Sequence, residues 1–281
     1  MEFLNYRVIR AKLKKRVLSF NKPNLEDAIN QFCILARQLD EHKLYSGYCH
    51  LAVAQCQNNN KFSAQVGAFL NAARSFAQAK HEVISKEDHV KLVIWIYTEA
   101  LLICDRSFIR PIRLEMGRFY ESNGLHQQAA DCFKQSMSIS RCVNNLIFAK
   151  LYKNALDELK NCPSHLMTTK DHTSMFLLEL LVNEDFEDLN RNSLQQLSED
   201  SRASTNRGML PADDHLYDLA ALLESLLILH RESRNNKNSM ELDNKYKKSG
   251  KIKNLIADKL SAFLDPAQVQ LLYLITSKNA V

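Results

Sequence analysis

Apolar residues recur at helical spacing along most of the chain. Phe3, Tyr6, Ile9, Leu13 and Val17 fall three or four residues apart and predict an amphipathic first helix. Asn21 to Pro23 interrupts the pattern, and Asn24 is then placed to cap a helix carrying Leu25, Ile29, Phe32, Leu35 and Leu39. Segments from about Leu44 to Gln57 and from Ser63 to His81 read as a helix pair, with Leu51 and Ala52 in the first and Ala72, Phe76 and Ala79 in the second. From Val90 to Cys104 apolar residues, Trp95 among them, cover most of the helix circumference, which predicts burial on two sides.

The densest pattern follows. Met116, Gly117, Tyr120, Gly124, Ala129 and Phe133 stand at the spacing of a tetratricopeptide helix pair, although position 136 is Ser where that pattern has Ala. Gly117 and Ala129 are small where antiparallel helices approach, Tyr120 and Phe133 are large beside them, and Gly124 falls in the turn. One such pair cannot bury its apolar face alone, so neighbours must stack on it. Tyr152, Ala155 and Leu159 echo the motif, but Ala155 comes only 26 residues after Ala129. The usual period is about 34 residues, so the intervening helix must be shortened or shared. The expected fold is all-α: a tetratricopeptide-like α-solenoid, a right-handed superhelix of antiparallel pairs, spanning residues 1–182 behind a basic capping helix.

Beyond Val182 the texture changes. Residues 183–214 are dominated by Asn, Asp, Glu, Ser, Gln and Arg and read as a polar linker, a surface loop or disordered segment. Residues 215–281 read as C-terminal helices interrupted by a basic linker over 231–251. The first is leucine-rich, through Leu216, Leu219, Leu222, Leu223, Leu226, Leu227 and Leu229. The last has a clean start, with Asp265 as cap, Pro266 in the first position, then Val269, Leu271, Leu272, Leu274 and Ile275.

Composition narrows the class. With 281 residues, 46% of them hydrophobic, the chain can bury a substantial core. Six glycines and five prolines are too few for a hairpin-rich β architecture. The net charge of +5 is unevenly spread, with Arg7, Arg10, Lys12, Lys14, Lys15 and Arg16 crowded on the first helix. That cluster fits a capping helix, a nuclear-localisation signal or a mitochondrial presequence. No aromatic residues interleave the basic ones as a nucleic-acid platform requires, so nucleic acid is not an expected partner. Leu92 to Tyr97 and Leu219 to Leu229 fall short of the roughly 20 apolar residues that span a bilayer, and no membrane insertion is expected.

Catalytic chemistry finds no foothold. The sequence has no GxGxxG, GxxxxGK, HExxH or GxSxG motif. Seven cysteines contain no CxxC pair, and the nine histidines, His50 and His230 included, show no zinc-ligand spacing. The odd cysteine count points to reduced thiols and a cytoplasmic setting. Glu184, Asp185, Glu187 and Asp188 lack the glycine and final glutamate of a calcium loop. No enzyme activity, cofactor or metal is expected. An α-solenoid works by holding another polypeptide.

The segment from Phe3 to Phe32, with Phe3-Leu4, Tyr6-Arg7, Lys12 to Arg16, Lys22-Pro23-Asn24 and Gln31-Phe32, followed by Leu51 to Ala54 and Cys56-Gln57, resembles the opening of the forty-kilodalton huntingtin-associated protein family, also called the factor VIII intron A protein family. Further similarity lies in the tetratricopeptide-like centre, in Tyr152 with Ala155-Leu156, in Leu210-Pro211, and in Ala267-Gln268 with Leu271-Leu272. The two polar tracts match poorly, and the Ala/Gly-rich N-terminal extension and proline-rich insertion of vertebrate members are missing. The resemblance implies a non-enzymatic partner docked 1:1 between the HEAT-repeat arms of huntingtin, stabilising a compact complex. It further implies a link to the small GTPase Rab5 on early endosomes, with cytoplasmic and nuclear pools. Contacts are expected from Arg10, Lys14, Lys15 and Arg16 in the first helix and from Lys259 and Tyr273 in the last two. The competing reading is a vesicle-fusion attachment adaptor for coiled-coil membrane proteins, suggested by Ala72-Ala73-Arg74-Ser75-Phe76.

Overall fold

The computed structural model describes residues 2–17, 24–57, 62–79, 85–182, 218–219, 221–228 and 258–277, with backbone alone for 2–4, 14–17 and 62. Among the described residues there is no strand. The expected linkers at 183–214 and 231–251 lie outside them. By internal contacts the chain forms two units, Met1–Leu125 with Gln135–Met137, and His126–Lys134 with Ser138–Val281.

The first unit contains α1 (Glu2–Val17), α2 (Leu25–Gln38), α3 (Lys43–Cys56), α4 (Phe62–Gln78), α5 (Lys86–Ile103) and α6 (Arg106–Ser122), each packed against the next. Asn24 caps α2 as its sequence position predicts, its Oδ1 accepting from the Asp27 amide at 3.2 Å. Glu26 and Asp27 add negative charge to the same first turn, where the helix dipole favours it. Ala28, Phe32, Leu35 and Ala36 form the buried stripe of α2, and Tyr6 of α1 tilts against Phe32 with ring centroids 5.4 Å apart.

The α3–α4 pair is also where the pattern places it. Ala72 and Phe76 are fully buried. The Phe76 ring lies so close to Gly47 of α3 that a Cβ there would meet it at 3.0 Å. The hydroxyl of Ser46 donates to the carbonyl of Ala36 at 3.1 Å, tying α3 to α2.

In α5 the expectation of two-sided burial fails for the tryptophan. His89, Val93, Ile96, Tyr97 and Ala100 form one buried stripe, whereas Trp95 is 43% and Leu102 74% exposed. Both residues lie off the stripe that packs on α4 and α6. Abundant apolar residues widened the face without closing the helix circumference.

After α6 the chain turns through Gly124, whose φ of 75° lies in the left-handed region. The Leu125 amide donates to Tyr120 and the Gly124 amide to Glu121, the paired bonds of a Schellman stop.

The second unit holds α7 (His126–Gln135), α8 (Ile139–Phe148), α9 (Tyr152–Lys160), α10 (Thr169–Val182) and a C-terminal helix, α11 (Pro266–Ser277). The short spacing from Ala129 to Ala155 is explained by helices of 10, 10 and 9 residues in succession. Both alanines and Leu159 are fully buried. Burial on nearly all sides belongs to α10, which packs against α9 and α11 and sequesters Asp171, His172 and Glu179 along with Phe176, Leu177 and Leu178. Such polar groups need partners. Asp171 accepts from the Thr168 amide at 2.8 Å, and Lys160 stands 3.8 Å from Glu179.

The start of α11 is a reciprocal capping box. Asp265 Oδ1 accepts from the Gln268 amide and Gln268 Oε1 accepts from the Asp265 amide, each at 3.0 Å. Gln268 is 1% exposed, and its Nε2 also donates to the Lys170 carbonyl at 2.8 Å and to Ser174 Oγ at 3.0 Å. One glutamine thus starts α11 and fastens it to α10. Residues 221–228 are helical too, with Leu223 and Leu226 buried.

Candidate functional site

The residues expected to bind a partner fall on both units. On the first, Arg10 is exposed, while the side chains of Lys14, Lys15 and Arg16 lie outside the described residues. A groove of about 240 Å³ runs between α1 and α2 over Ile9 and Leu35, with Val8 48% and Ile34 55% exposed at its edges. On the second unit, Lys259 is exposed in helical residues 258–261 and Tyr273 is 70% exposed on α11.

Tyr273 belongs to a helix whose opposite stripe, Leu271, Leu272 and Ile275, is buried. The next residue, Leu274, helps to form a larger groove of about 410 Å³ with Leu151, Tyr152, Leu181 and Val182. Lys150 and Lys153 stand exposed on its rim, with no acidic residue among its described walls. Lys150 ends α8 in the left-handed region, φ 62°, held by the Leu151 amide bonding to Leu146 and the Lys150 amide to Ile147, each at 2.9 Å. Sequence reading did not find this groove, because its walls come from three separated stretches of chain, residues 150–154, 181–182 and 274.

The tetratricopeptide-like residues are structural in character. Met116, Gly117 and Tyr120 are buried on α6 and belong to the first unit, whereas Ala129 and Phe133 are fully buried on α7 in the second. Gly124 occupies the turn between those helices. The Arg141 guanidinium lies 5.6 Å from the centre of the Phe133 ring.

The strongest polar cluster in the first unit also escaped the sequence reading. Arg74 of α4 grips Glu115 of α6 with two bonds of 2.7 and 2.8 Å, and the Tyr97 hydroxyl of α5 donates to the same carboxylate at 2.9 Å. Burial works to raise the Glu115 pKa, but the Arg74 and Tyr97 bonds outweigh it and hold the carboxyl below its ordinary range. Burial also pushes the Tyr97 hydroxyl well up, so it stays a donor. All three groups are committed to one another, which makes the cluster a clamp across three helices.

The thiols and histidines point the same way. None of the seven cysteines forms a disulfide, and burial pushes the thiols of Cys49 and Cys142 up to about 12, far from the thiolate range a nucleophile needs. His50 is half-buried with its pKa lowered by burial, against a smaller opposing pull from Asp40. His230 lies outside the described residues. Among the described residues no three His, Cys, Asp or Glu side chains cluster to hold a metal ion, and no helix is long and apolar enough to cross a membrane.

No protein-family model matches the chain. It is similar over a short stretch to the 40-kDa huntingtin-associated proteins of Rattus norvegicus and Mus musculus, each 48% identical over 54 residues. The match takes in 18% of this chain and 14% of the length of either relative.

Proposed function

We propose that this chain is a non-catalytic binding protein of the huntingtin-associated type, docking 1:1 between the HEAT-repeat arms of huntingtin and stabilising it as a compact complex. The observation that carries the reading is the 54-residue stretch at 48% identity to proteins named for huntingtin association. The all-helical architecture supports it, since helical hairpins offer apolar ridges and grooves to another helical repeat protein. In this reading the chain serves early-endosome trafficking through Rab5, reached by way of the complex.

Arg10, Lys14, Lys15 and Arg16 on one unit and Lys259 and Tyr273 on the other are the contacts first expected. Charges of this kind steer association and fix register, while apolar contacts supply most of the buried interface. The experiment is purification of the tagged chain from its own cells, with quantitative mass spectrometry and gel filtration of the eluate. Near-stoichiometric huntingtin in one large complex is expected. A fusion ATPase with coiled-coil membrane proteins in its place, or no huntingtin at all, refutes the reading.

A further inference from the structure

We propose that the groove bounded by the α8–α9 turn, the end of α10 and α11 seats a helical segment of the protein partner that presents an apolar stripe flanked by carboxylates. The inference rests on the partner reading above and names the surface and the chemistry it selects.

The floor is apolar, formed by Leu151, Leu181, Val182 and Leu274, and its volume of about 410 Å³ accepts several side chains. Among the described residues the rim carries charge of one sign only. Lys150 and Lys153 are exposed, and among the described residues neither makes an ion pair. An apolar trough edged by two ammonium groups complements an apolar stripe with acids beside it: the stripe supplies affinity, and the acids supply approach and register. It discriminates against a basic amphipathic helix, whose charges would meet the two lysines. The walls are helices and a helix–helix turn, a setting in which an amphipathic helix can lay its apolar face into the groove. Among the described residues there is no strand edge onto which an extended peptide could add.

The position of Lys150 makes the proposal sharply testable. Its left-handed backbone is the conformation that favours glycine, so Lys150→Gly removes an ammonium group while easing the chain. A residue present only for the fold would make binding follow stability. Here the two are expected to part. The full chain, its Lys150→Gly variant and the Lys150→Gly/Lys153→Glu double variant are each titrated against full-length huntingtin by biolayer interferometry, with melting followed by circular dichroism.

The expected result is a melting temperature for Lys150→Gly at or above the parent's, together with weaker huntingtin binding. In the double variant the loss reaches at least tenfold in low salt and shrinks as salt screens the lost charges. A parent that binds while the double variant stays within threefold of it overturns the groove assignment alone. A parent that shows no huntingtin binding overturns the partner reading, and the groove assignment with it.

Discussion

Adding one methyl group to Gly47 tests the packing of the first unit. Gly47 lies inside α3, and a Cβ built there sits 3.0 Å from Cδ2 and Cε2 of Phe76 and 3.1 Å from Cδ1. Carbon atoms prefer about 3.5–4.0 Å, so the ring must retreat by roughly half an ångström. Phe76 has little room to do so, being fully buried with Tyr48 edge-on against it at 5.0 Å between ring centroids. Two effects compete in Gly47→Ala. Replacing a mid-helix glycine with alanine gains about 1 kcal/mol from backbone entropy. Overpacking a filled core costs about 1–3 kcal/mol. The crowding is expected to win, leaving a net loss of about 1 kcal/mol, equivalent to about 2–4 °C of melting temperature for a unit of this size.

Gly67 provides the control within the same unit. It lies in α4, where an added Cβ meets nothing within 4 Å, so Gly67→Ala is expected to stabilise by about 1 kcal/mol. The two variants should move in opposite directions in urea melts followed by circular dichroism, with unchanged m-values. A Gly47→Ala protein as stable as the parent or more so refutes the claim that the α3–α4 approach has no room for a side chain.

Gln268→Ala is expected to cost the second unit about 2–3 kcal/mol in urea unfolding, because it strands the Asp265 amide and removes both bonds to α10; a loss under about 1 kcal/mol would count against that reading. Glu115→Gln should cost about 1–2 kcal/mol at neutral pH, toward the lower end because Arg74 is half exposed to solvent. Since the folded Glu115 pKa is depressed, its contribution is present above the unfolded carboxylate value of about 4.3 and is lost as pH falls through the folded value. The stability gap between parent and variant should therefore close on acidification toward pH 3, and a gap that stays constant over that range would remove Glu115 from the clamp.

What could be read from the sequence was local. Asn24 and Asp265 are capping residues next to the helices they start, and Ala72 and Phe76 lie on one stripe of a single helix, so spacing alone located them. Trp95 was misplaced because counting apolar residues around α5 does not reveal which arc meets neighbours. Gly47 gave no signal, since its role depends on which side chain of α4 faces it. Arg74 and Glu115 lie 41 positions apart and meet only once α4, α5 and α6 have packed. For the candidate site, Tyr273 and Lys259 are exposed, but the groove that Leu274 helps to form draws its walls from the α8–α9 turn, α9, α10 and α11 and has no local pattern. The place of Gln268 three residues after Asp265 is the capping-box signal that identifies its role from sequence.

The buried thiols give each unit a gauge of its own opening. With a pKa of about 12, only about one Cys49 or Cys142 side chain in 10⁵ is ionised at pH 7, and both are shielded from reagents in the closed state. Alkylation must wait for the surrounding helices to part, so in the fast-reclosing regime its rate reports the free energy of that excursion. Cys49 keeps this record for the first unit and Cys142 for the second. A clamp on either one, by a partner or by a stabilising substitution, would be read as slowed chemistry at a single sulfur, without any label having been introduced.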